Sequence, residues 1–396
     1  MSVEKSSPAA PEVNRDRADK PGGLRRRLLL LAAVLLFMLV MAEAALQLFY
    51  RVTVGQWLFT RTGLALFVPD ERFVYWNKPH LSFTHRTNEF QSEVVTNGQG
   101  FRVAPGGSDY SQIKAPDTRR IVLLGPSFAF GWGVNYEQTF AARLQELLNE
   151  HAPSGAPRTE IIDAGVPSMG PALNLDWYRT VGKDFGPDLV IQLIYTTMAV
   201  PRVGNRHDID VDAEGYLVRR NLSWRYYMTL YAKKSALVFY TWMAYVRAKG
   251  AAAVPGEGGA ILGAGREANL HGTFDVTEHE TAEAIEYYND LRQTVESSGA
   301  KLLVVYVPLA YCVHREDVAR WSHLGVHDVA AQIAYDEAFC EYLRGRGFDC
   351  VNTTSDLQAA ADAGKRLYYL IDIHWTPEGN DVAARSVYEH LRREGQ

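Results

Sequence analysis

Short apolar runs alternate with helical patterns along most of the chain after residue 120. Four of these runs are continuous enough to be strands buried on both faces of a sheet, and they lie at 121–124, 159–165, 186–195 and 301–308. The segments between them repeat apolar residues every three or four positions, which is typical of helices that cover a sheet. This rhythm predicts an α/β fold of three layers (α/β/α), with a mostly parallel sheet in the middle.

The same rhythm continues to the C-terminus. Helices are predicted at 277–298 and 327–346, followed by a short strand at 348–351 and a terminal helix from about 378 to 393. These elements complete the sheet begun at residue 121. We therefore assign residues 117–396 to one domain.

Residues 199–275 break the rhythm and are predicted to be an insertion in that domain. The insertion contains a hairpin pattern at 210–217, an aromatic-rich helical pattern at 222–247 and a Gly/Ala-rich loop at 248–269. The helical pattern indicates a lid or packing helix. Its neighbouring lysines and many aromatic side chains also fit a helix on a membrane surface, which stays open as the alternative.

The N-terminal 50 residues divide into a polar tail and an apolar segment. Residues 1–27 carry charges of both signs together with proline and glycine, which predicts a disordered tail. Residues 28–50 are long and apolar enough to span a bilayer, and the three arginines at 25–27 favour a cytoplasmic tail. We predict a single-pass anchor in the inner (cytoplasmic) membrane, with the domain in the periplasm. A signal peptide cleaved after Ala44 is the alternative.

Residues 51–116 are rich in aromatic residues and turn formers. The Asn97-Gly98 pair, within the stretch 94–102, is a hairpin signal. No strand–helix rhythm is visible in this segment. We predict an extended lead-in that packs on the domain rather than a separate fold.

Composition and charge narrow the possible partners. The chain of 396 residues is 47% hydrophobic with a net charge of −5, so it has no basic surface of the kind that binds nucleic acid. Its three cysteines include no C-x-x-C pair for zinc. In an oxidising compartment they allow one disulfide, and the sequence leaves open which two of Cys312, Cys340 and Cys350 form it.

A serine lies at the sharp turn after the first predicted strand. Gly125 and Pro126 end the strand, so Ser127 is expected at the carboxyl edge of the sheet, where backbone N–H groups can stabilise an oxyanion. A serine at a helix start is also a common N-cap residue, and the turn alone fits both roles. Neither a P-loop nor a G-x-G-x-x-G pattern is present.

A second candidate lies before the terminal helix. A nucleophilic serine needs an imidazole base and a carboxylate that orients it. Asp372 and His374 lie on one loop that should reach the same sheet edge as Ser127. Because no second histidine or carboxylate cluster accompanies them, a metal site is disfavoured, and we predict neither a metal nor a cofactor.

These motifs together resemble the SGNH (GDSL) hydrolase superfamily, whose fold is flavodoxin-like. The resemblance covers roughly residues 70–396 and rests on Gly125-x-Ser127-x-x-x-Gly131, a Gly-rich turn after the second strand, and Asp372-x-His374-Trp-Thr-Pro-Glu-Gly379. More narrowly, the chain looks like membrane-anchored, exported bacterial members, some of which are polysaccharide O-acetyltransferases. The resemblance implies a catalytic triad of Ser127, His374 and Asp372.

The resemblance also implies an oxyanion hole, and here the chain departs from the family. Pro126 replaces the aspartate that usually precedes the serine, although the N–H of Ser127 is kept. Ser168 stands where the family has a donor glycine. Thr197 stands where the family has a donor asparagine, and its side chain is shorter. We therefore predict a hole formed by Ser127, Ser168 and Thr197 that is weaker than usual.

Two functions follow from this pattern. The first is an extracytoplasmic serine esterase or O-acyltransferase that acts on acyl esters of a carbohydrate, acetyl esters above all. The second is a catalytically degenerate protein that binds glycan or assists assembly in a polysaccharide system. The predicted partners are therefore an acyl ester or polysaccharide and, through the N-terminal helix, the membrane.

Overall fold

The chain begins with one long apolar helix. The structure is a computed structural model, and it describes residues 22–54, 57–59, 64–87, 89–195, 209–219, 224, 228, 232, 234–251, 279–318, 329–370 and 372–395. Helix α1 spans Gly22–Val54. Within Arg25–Thr53, an 18-residue window has a mean hydropathy of 2.6 and is not buried by the rest of the protein, so the helix is long and apolar enough to cross a membrane. A signal sequence would have the same properties.

Two antiparallel hairpins form the lead-in. Strand β1 (Phe67–Asp70) pairs with β2 (Val74–Asn77), and β3 (Ser82–Arg86) pairs with β4 (Gln91–Val95). The predicted turn around Asn97 follows β4 and is closed by a bridge between Thr96 and Arg102. The lead-in contacts the core: the rings of Trp76 and Trp177 are parallel, with centroids 5.1 Å apart.

A five-stranded parallel sheet forms the middle of the domain. Its strands are β5 (Thr118–Leu124), β6 (Arg158–Asp163), β7 (Leu189–Tyr195), β10 (Lys301–Val307) and β11 (Asp349–Asn352), and the short hairpin of β8 (Ile209–Val211) and β9 (Leu217–Arg219) lies between β7 and β10 in the chain. The strand order is β11-β10-β7-β5-β6. This is the doubly wound order of flavodoxin-like sheets, whose ligand sites lie at the carboxyl edge.

Helices cover both faces of this sheet. Those after α1 are α2 (Ser127–Phe130), α3 (Phe140–Glu150), α4 (Pro171–Thr180), α5 (Ala236–Ala251), α6 (His279–Ser297), α7 (Ala310–Val313), α8 (Val329–Arg344), α9 (Thr354–Asp362) and α10 (Pro377–Arg393). Side chains of β7 alternate between two cores: Val190 and Ile194 face the core of α4, α6 and α8, while Ile191 and Leu193 face that of α3, α9 and α10. The predicted three-layer α/β/α fold is confirmed.

The structure adds detail on the helix of the insertion and on the disulfide. Of the helix predicted at 222–247, residues 236–247 lie in α5, which continues to Ala251 into the stretch predicted as loop. Most of residues 222–233 lie outside the described residues, among which Trp224, Met228 and Ala232 are helical. The open question of the disulfide is answered, since Cys340 and Cys350 are bonded with Cα atoms 5.7 Å apart. Cys312 is free and buried. The bond ties the end of α8 to the edge strand β11.

Candidate active site

Ser127 lies directly after the carboxyl end of β5, in the first turn of the short helix α2. A side chain at Gly125 would come within 2.9 Å of the carbonyl oxygen of Leu193, so the tight exit from the strand needs glycine. Helix α2 ends at Gly131, whose φ of 73° is left-handed. The N-cap position belongs to Pro126, so the hydroxyl of Ser127 is not used as a helix cap.

The loop before α10 brings the other two candidates to this serine. The Oγ atom of Ser127 is 2.5 Å from Nε2 of His374. The other ring nitrogen of His374, Nδ1, is 2.5 Å from Oδ1 of Asp372, and that oxygen also accepts the backbone N–H of His374 at 3.0 Å. A hydroxyl, an imidazole and a carboxylate therefore form one continuous chain of hydrogen bonds, as nucleophilic catalysis requires.

Aromatic side chains fix the orientation of this histidine. The ring of Phe128 lies 4.9 Å from the imidazole of His374, and Trp132 lies 5.5 Å from it. The indole N–H of Trp132 also donates to Oδ2 of Asp372 at 3.3 Å. With one oxygen on His374 and the other on Trp132, the carboxylate of Asp372 has little freedom to rotate.

The lead-in supplies a second restraint on the same loop. The carboxylate of Glu89 accepts the backbone N–H of Leu370 at 2.6 Å on one oxygen and that of Asp372 at 2.7 Å on the other. Charge-assisted hydrogen bonds of this kind are about twice as strong as neutral ones. Glu89 therefore holds the backbone of the loop in the position from which Asp372 reaches His374.

Charges and burial set the protonation of two groups here. Burial on its own would raise the pKa of Asp372, but the neighbouring charge of His374 and the hydrogen bonds from His374 and Trp132 outweigh it and lower that pKa below its ordinary value. Burial lowers the pKa of His85, which stacks edge-on against Trp132 with ring centroids 4.7 Å apart, to about 4. At neutral pH the carboxylate is charged and His85 is neutral.

The turn after β6 contacts the loop that carries Ser127. The N–H of Val166 donates to the carbonyl of Gly125 at 3.1 Å, which ties this turn to the nucleophile loop. A side chain at Gly165 would come within 2.3 Å of the backbone nitrogen of Phe130, so the two loops meet backbone to backbone. Asn77 of the lead-in donates to the carbonyl of Gly165 at 3.0 Å.

The structure describes only part of the expected oxyanion hole. Ser168 is exposed, and its φ of 65° is left-handed, a conformation that glycine adopts far more readily than serine. Thr197 lies outside the described residues. The structure thus brings Ser127, His374 and Asp372 into contact, places the turn with Ser168 beside them, and leaves the position of Thr197 open.

Sequence reasoning did not identify four residues around this site. Trp132 directly follows Gly131, the last residue of the serine motif, and nothing in that motif predicts a role for its indole. Glu89, His85 and Asn77 lie in the lead-in, where no spacing marks them. Their contacts depend on how the hairpins pack against loops far away in the chain. Within the described ranges no group of three metal-ligating side chains is close enough to hold a metal ion.

The chain is similar to known acyl-transferring and ester-cleaving proteins. Residues 271–396 match the family model of the SGNH hydrolase-like domain of acetyltransferase AlgX. Over 124 residues the chain is 25% identical to a protein of Pseudomonas fluorescens named "Probable alginate O-acetylase AlgJ"; this match covers 30% of the chain and 26% of the relative, about a quarter of its length. The predicted resemblance to the SGNH hydrolase superfamily, with O-acetyltransferase relatives, is confirmed.

The chain is also similar, at low sequence identity, to solved structures of esterases. A carbohydrate acetylesterase family member from Sinorhizobium meliloti is 11% identical with a TM-score of 0.36, covering 69% of this chain and 98% of its own. The aryl esterase of M. smegmatis is 13% identical with a TM-score of 0.37, and the match covers 69% of this chain and 99% of the esterase.

Proposed function

We propose that this protein is a serine esterase or O-acyltransferase that acts on acyl esters, acetyl esters above all, of a carbohydrate. The observation that carries the proposal is the pair of 2.5 Å contacts from Ser127 to His374 and from His374 to Asp372. If Ser127 only capped a helix and His374 only packed in the core, no carboxylate would be needed at Nδ1 of the imidazole. The name of the matched family, an acetyltransferase, supports the choice of an acetyl group.

In the first half of the reaction, Oγ of Ser127 attacks the carbonyl carbon of the ester while Nε2 of His374 takes the hydroxyl proton. Asp372 stabilises the resulting imidazolium. The tetrahedral intermediate collapses, the alcohol leaves with the proton from His374, and the acyl group stays on Ser127. In the second half, water or a sugar hydroxyl attacks the acyl-serine by the same steps, which yields an acid or a new ester.

The oxyanion of the tetrahedral intermediate needs donors on the side of Ser127 away from His374. The N–H groups of Ser127 and Ser168 and the hydroxyl of Thr197 are the donors in this proposal. Loss of one such donor costs about 3 kcal/mol in transition-state stabilisation. A threonine in place of the longer asparagine therefore predicts slow turnover on simple esters.

The proposal places the domain in the periplasm, held at the inner membrane by α1. Its apolar stretch Arg25–Thr53 is the basis for the span, and the arginines at its start are the basis for the orientation. Carbohydrate polymers that pass through this compartment would meet the candidate site there.

Acylation of the serine tests the proposal directly. The full-length protein in detergent is incubated with p-nitrophenyl acetate and its intact mass is measured. We expect an added acetyl group on the wild type and none on Ser127→Ala, with turnover of the variant at background. Ser355→Ala, which removes an exposed serine of α9, is the matched control and should react like the wild type.

Two results would contradict the proposal. Hydrolysis that survives Ser127→Ala would exclude the serine mechanism. A wild type that neither hydrolyses the ester nor reacts with a fluorophosphonate probe would favour the glycan-binding or assembly role.

A further inference from the structure

A carboxylate lies within the apolar helix α1 and binds the start of another helix. Glu43 accepts the backbone N–H groups of Ala236 at 2.7 Å and Leu237 at 2.9 Å, and the hydroxyl of Ser235 at 2.8 Å. The side chain of Gln47 donates to Glu43 at 2.7 Å. The first N–H groups of a helix lack partners within the helix and attract negative charge. Glu43 therefore caps two of them from a different helix, while the hydroxyl of Ser235 accepts the N–H of Val238 at 3.3 Å.

The position of Glu43 along α1 sets the depth of this contact. Counted from Arg27, Glu43 lies about 24 Å further along the helix axis, at about 1.5 Å per residue. The hydrocarbon core of a bilayer is about 30 Å thick. With the arginines at one face, Glu43 lies close to the opposite border of the hydrocarbon. A carboxylate is costly at that depth unless it is paired, and α5 provides the pairing.

The two helices run side by side in the same direction. Phe239 packs edge-on against Tyr50 with centroids 5.6 Å apart, and Tyr240 lies 5.8 Å from Phe49. Ala236 at the start of α5 is fully buried in a small cluster with Tyr50. The first turn of α5 therefore lies at the border of the hydrocarbon, and the rest of α5 extends from there into the headgroup region.

Large apolar side chains of the insertion are exposed. The exposed fractions are 70% for Trp224, 60% for Met228, 47% for Val238 and 53% for Tyr245. Val238 and Tyr245 lie on α5, the helix that packs on Tyr50 of α1, and Trp224 and Met228 precede this helix in the chain. Tryptophan and tyrosine are enriched at the headgroup level of membrane proteins.

We propose that these four residues form a second membrane contact, in which the insertion lies against the outer surface of the same bilayer that α1 crosses. The occupant is phospholipid, because α5, which carries Val238 and Tyr245, packs on the membrane-spanning helix at the border of the hydrocarbon, and the exposed side chains of the insertion are aromatic and aliphatic. The bond network of Glu43 sets the position of this contact. The domain is thus held at the bilayer by two elements instead of by one tether.

The network also bears on the fate of α1. Cleavage after Ala44 would remove Glu43 and leave the first N–H groups of α5 without their cap. The second membrane contact therefore requires an uncleaved anchor. Protein from the membrane fraction that begins after Ala44 would overturn the proposal.

Accessibility of spin labels tests the contact itself. The full-length protein, with a nitroxide on Val238→Cys or Met228→Cys, is placed in nanodiscs of phosphatidylethanolamine and phosphatidylglycerol. The native cysteines do not compete, since Cys312 is buried and the other two are bonded. We expect both labels to collide with lipid-soluble oxygen more than with a water-soluble nickel chelate. Ile113→Cys, at a residue 86% exposed on the lead-in, is the control and should show the reverse.

A second variant tests the role of Glu43. In Glu43→Ala the label at residue 238 should move toward nickel accessibility, while Leu48→Ala, which shortens an exposed side chain of α1, should leave it unchanged. Circular dichroism establishes that each variant is folded. Labels at 228 and 238 that are as open to nickel as the label at 113 would refute the second membrane contact. A label unmoved by Glu43→Ala would refute the role of Glu43 in it.

Discussion

The two loops that flank Ser127 are held in place by different kinds of contact. On the base side, side chains restrain the loop of Asp372 and His374: Glu89 holds its backbone and Trp132 holds its carboxylate. On the oxyanion side, the turn before Ser168 is held by backbone contacts, with Val166 bonded to Gly125. Its outermost residue, Ser168, is exposed and has a left-handed backbone.

In the proposed mechanism, the loop of Asp372 and His374 forms the base side of the site, and the turn of Ser168 belongs to the oxyanion side. The base side contains every group that the proposed mechanism needs, each with a partner. The departures from the SGNH pattern are Pro126, Ser168 and Thr197, and the proposed mechanism assigns the last two to the oxyanion side. If the protein is slow, the reason should lie there, and changes on the base side should reduce whatever activity exists.

The largest effect is expected at Glu89, a positioning residue that acts through the backbone of the loop. Glu89→Ala removes two charge-assisted hydrogen bonds, and misplacement of a catalytic group by about 1 Å can cost about 100-fold in rate. We expect kcat on p-nitrophenyl acetate to fall by that order while KM changes little. Glu89→Gln, which keeps one acceptor oxygen, should lie in between.

Stopped-flow acylation and equilibrium unfolding separate positioning from folding in this experiment. Glu71→Ala, which removes an exposed glutamate of the same lead-in, is the matched control and should behave as the wild type. A folded Glu89→Ala variant with undiminished kcat would show that the loop keeps its position without the lead-in.

The role of Glu89 also shows where sequence reasoning ends. The strands could be predicted because runs such as 121–124 are apolar enough to be buried on both faces. Asp372 and His374 could be assigned to the edge near Ser127 because parallel strands end at the same side. Glu89 could not, because its partners are backbone N–H groups more than 280 residues away, and such partners leave no mark on the sequence.

Helix α5 illustrates the same limit. Its apolar, aromatic composition indicated a helix, and residues 236–247 of the predicted stretch are helical. A local start signal is present in Ser235, whose hydroxyl oxygen accepts the backbone N–H of Val238 at 3.3 Å. The carboxylate of Glu43, nearly two hundred residues earlier in the chain, binds the first two N–H groups of the helix. This second contribution comes from another helix and becomes visible only in three dimensions.

A smaller effect is expected from His85 on the base side, and it depends on pH. Its pKa is lowered from 6.5 to about 4, so the folded protein binds fewer protons than the unfolded chain between these values. Stability therefore falls as the pH drops from about 6.5 to 4. His85→Phe keeps the aromatic contact with Trp132 and removes the titration. Over this pH range the free energy of unfolding of the variant should fall by about 2 kcal/mol less than that of the wild type, allowing for the partial exposure of the ring.

Denaturant titrations of both proteins at several pH values measure this difference. The comparison must be between variant and wild type, because Asp163 acts in the opposite sense. Burial raises its pKa to about 7, so it stabilises the fold as the pH falls toward 4. Parallel curves for His85→Phe and the wild type would mean that folding does not lower the pKa of His85.

The smallest effect is expected at Ser168 and tests the oxyanion side. A left-handed backbone costs a serine about 1 kcal/mol relative to glycine, although glycine loses more entropy on folding. Ser168→Gly should therefore raise the free energy of unfolding by about 0.5 kcal/mol and relax the turn without removing its N–H. Ser108→Gly, at an exposed loop serine without a positive φ, should lower stability slightly instead. If Ser168→Gly also accelerates acylation of Ser127, the altered turn is what slows the wild type; if stability falls as in the control, the strain at Ser168 is relieved by contacts of its side chain.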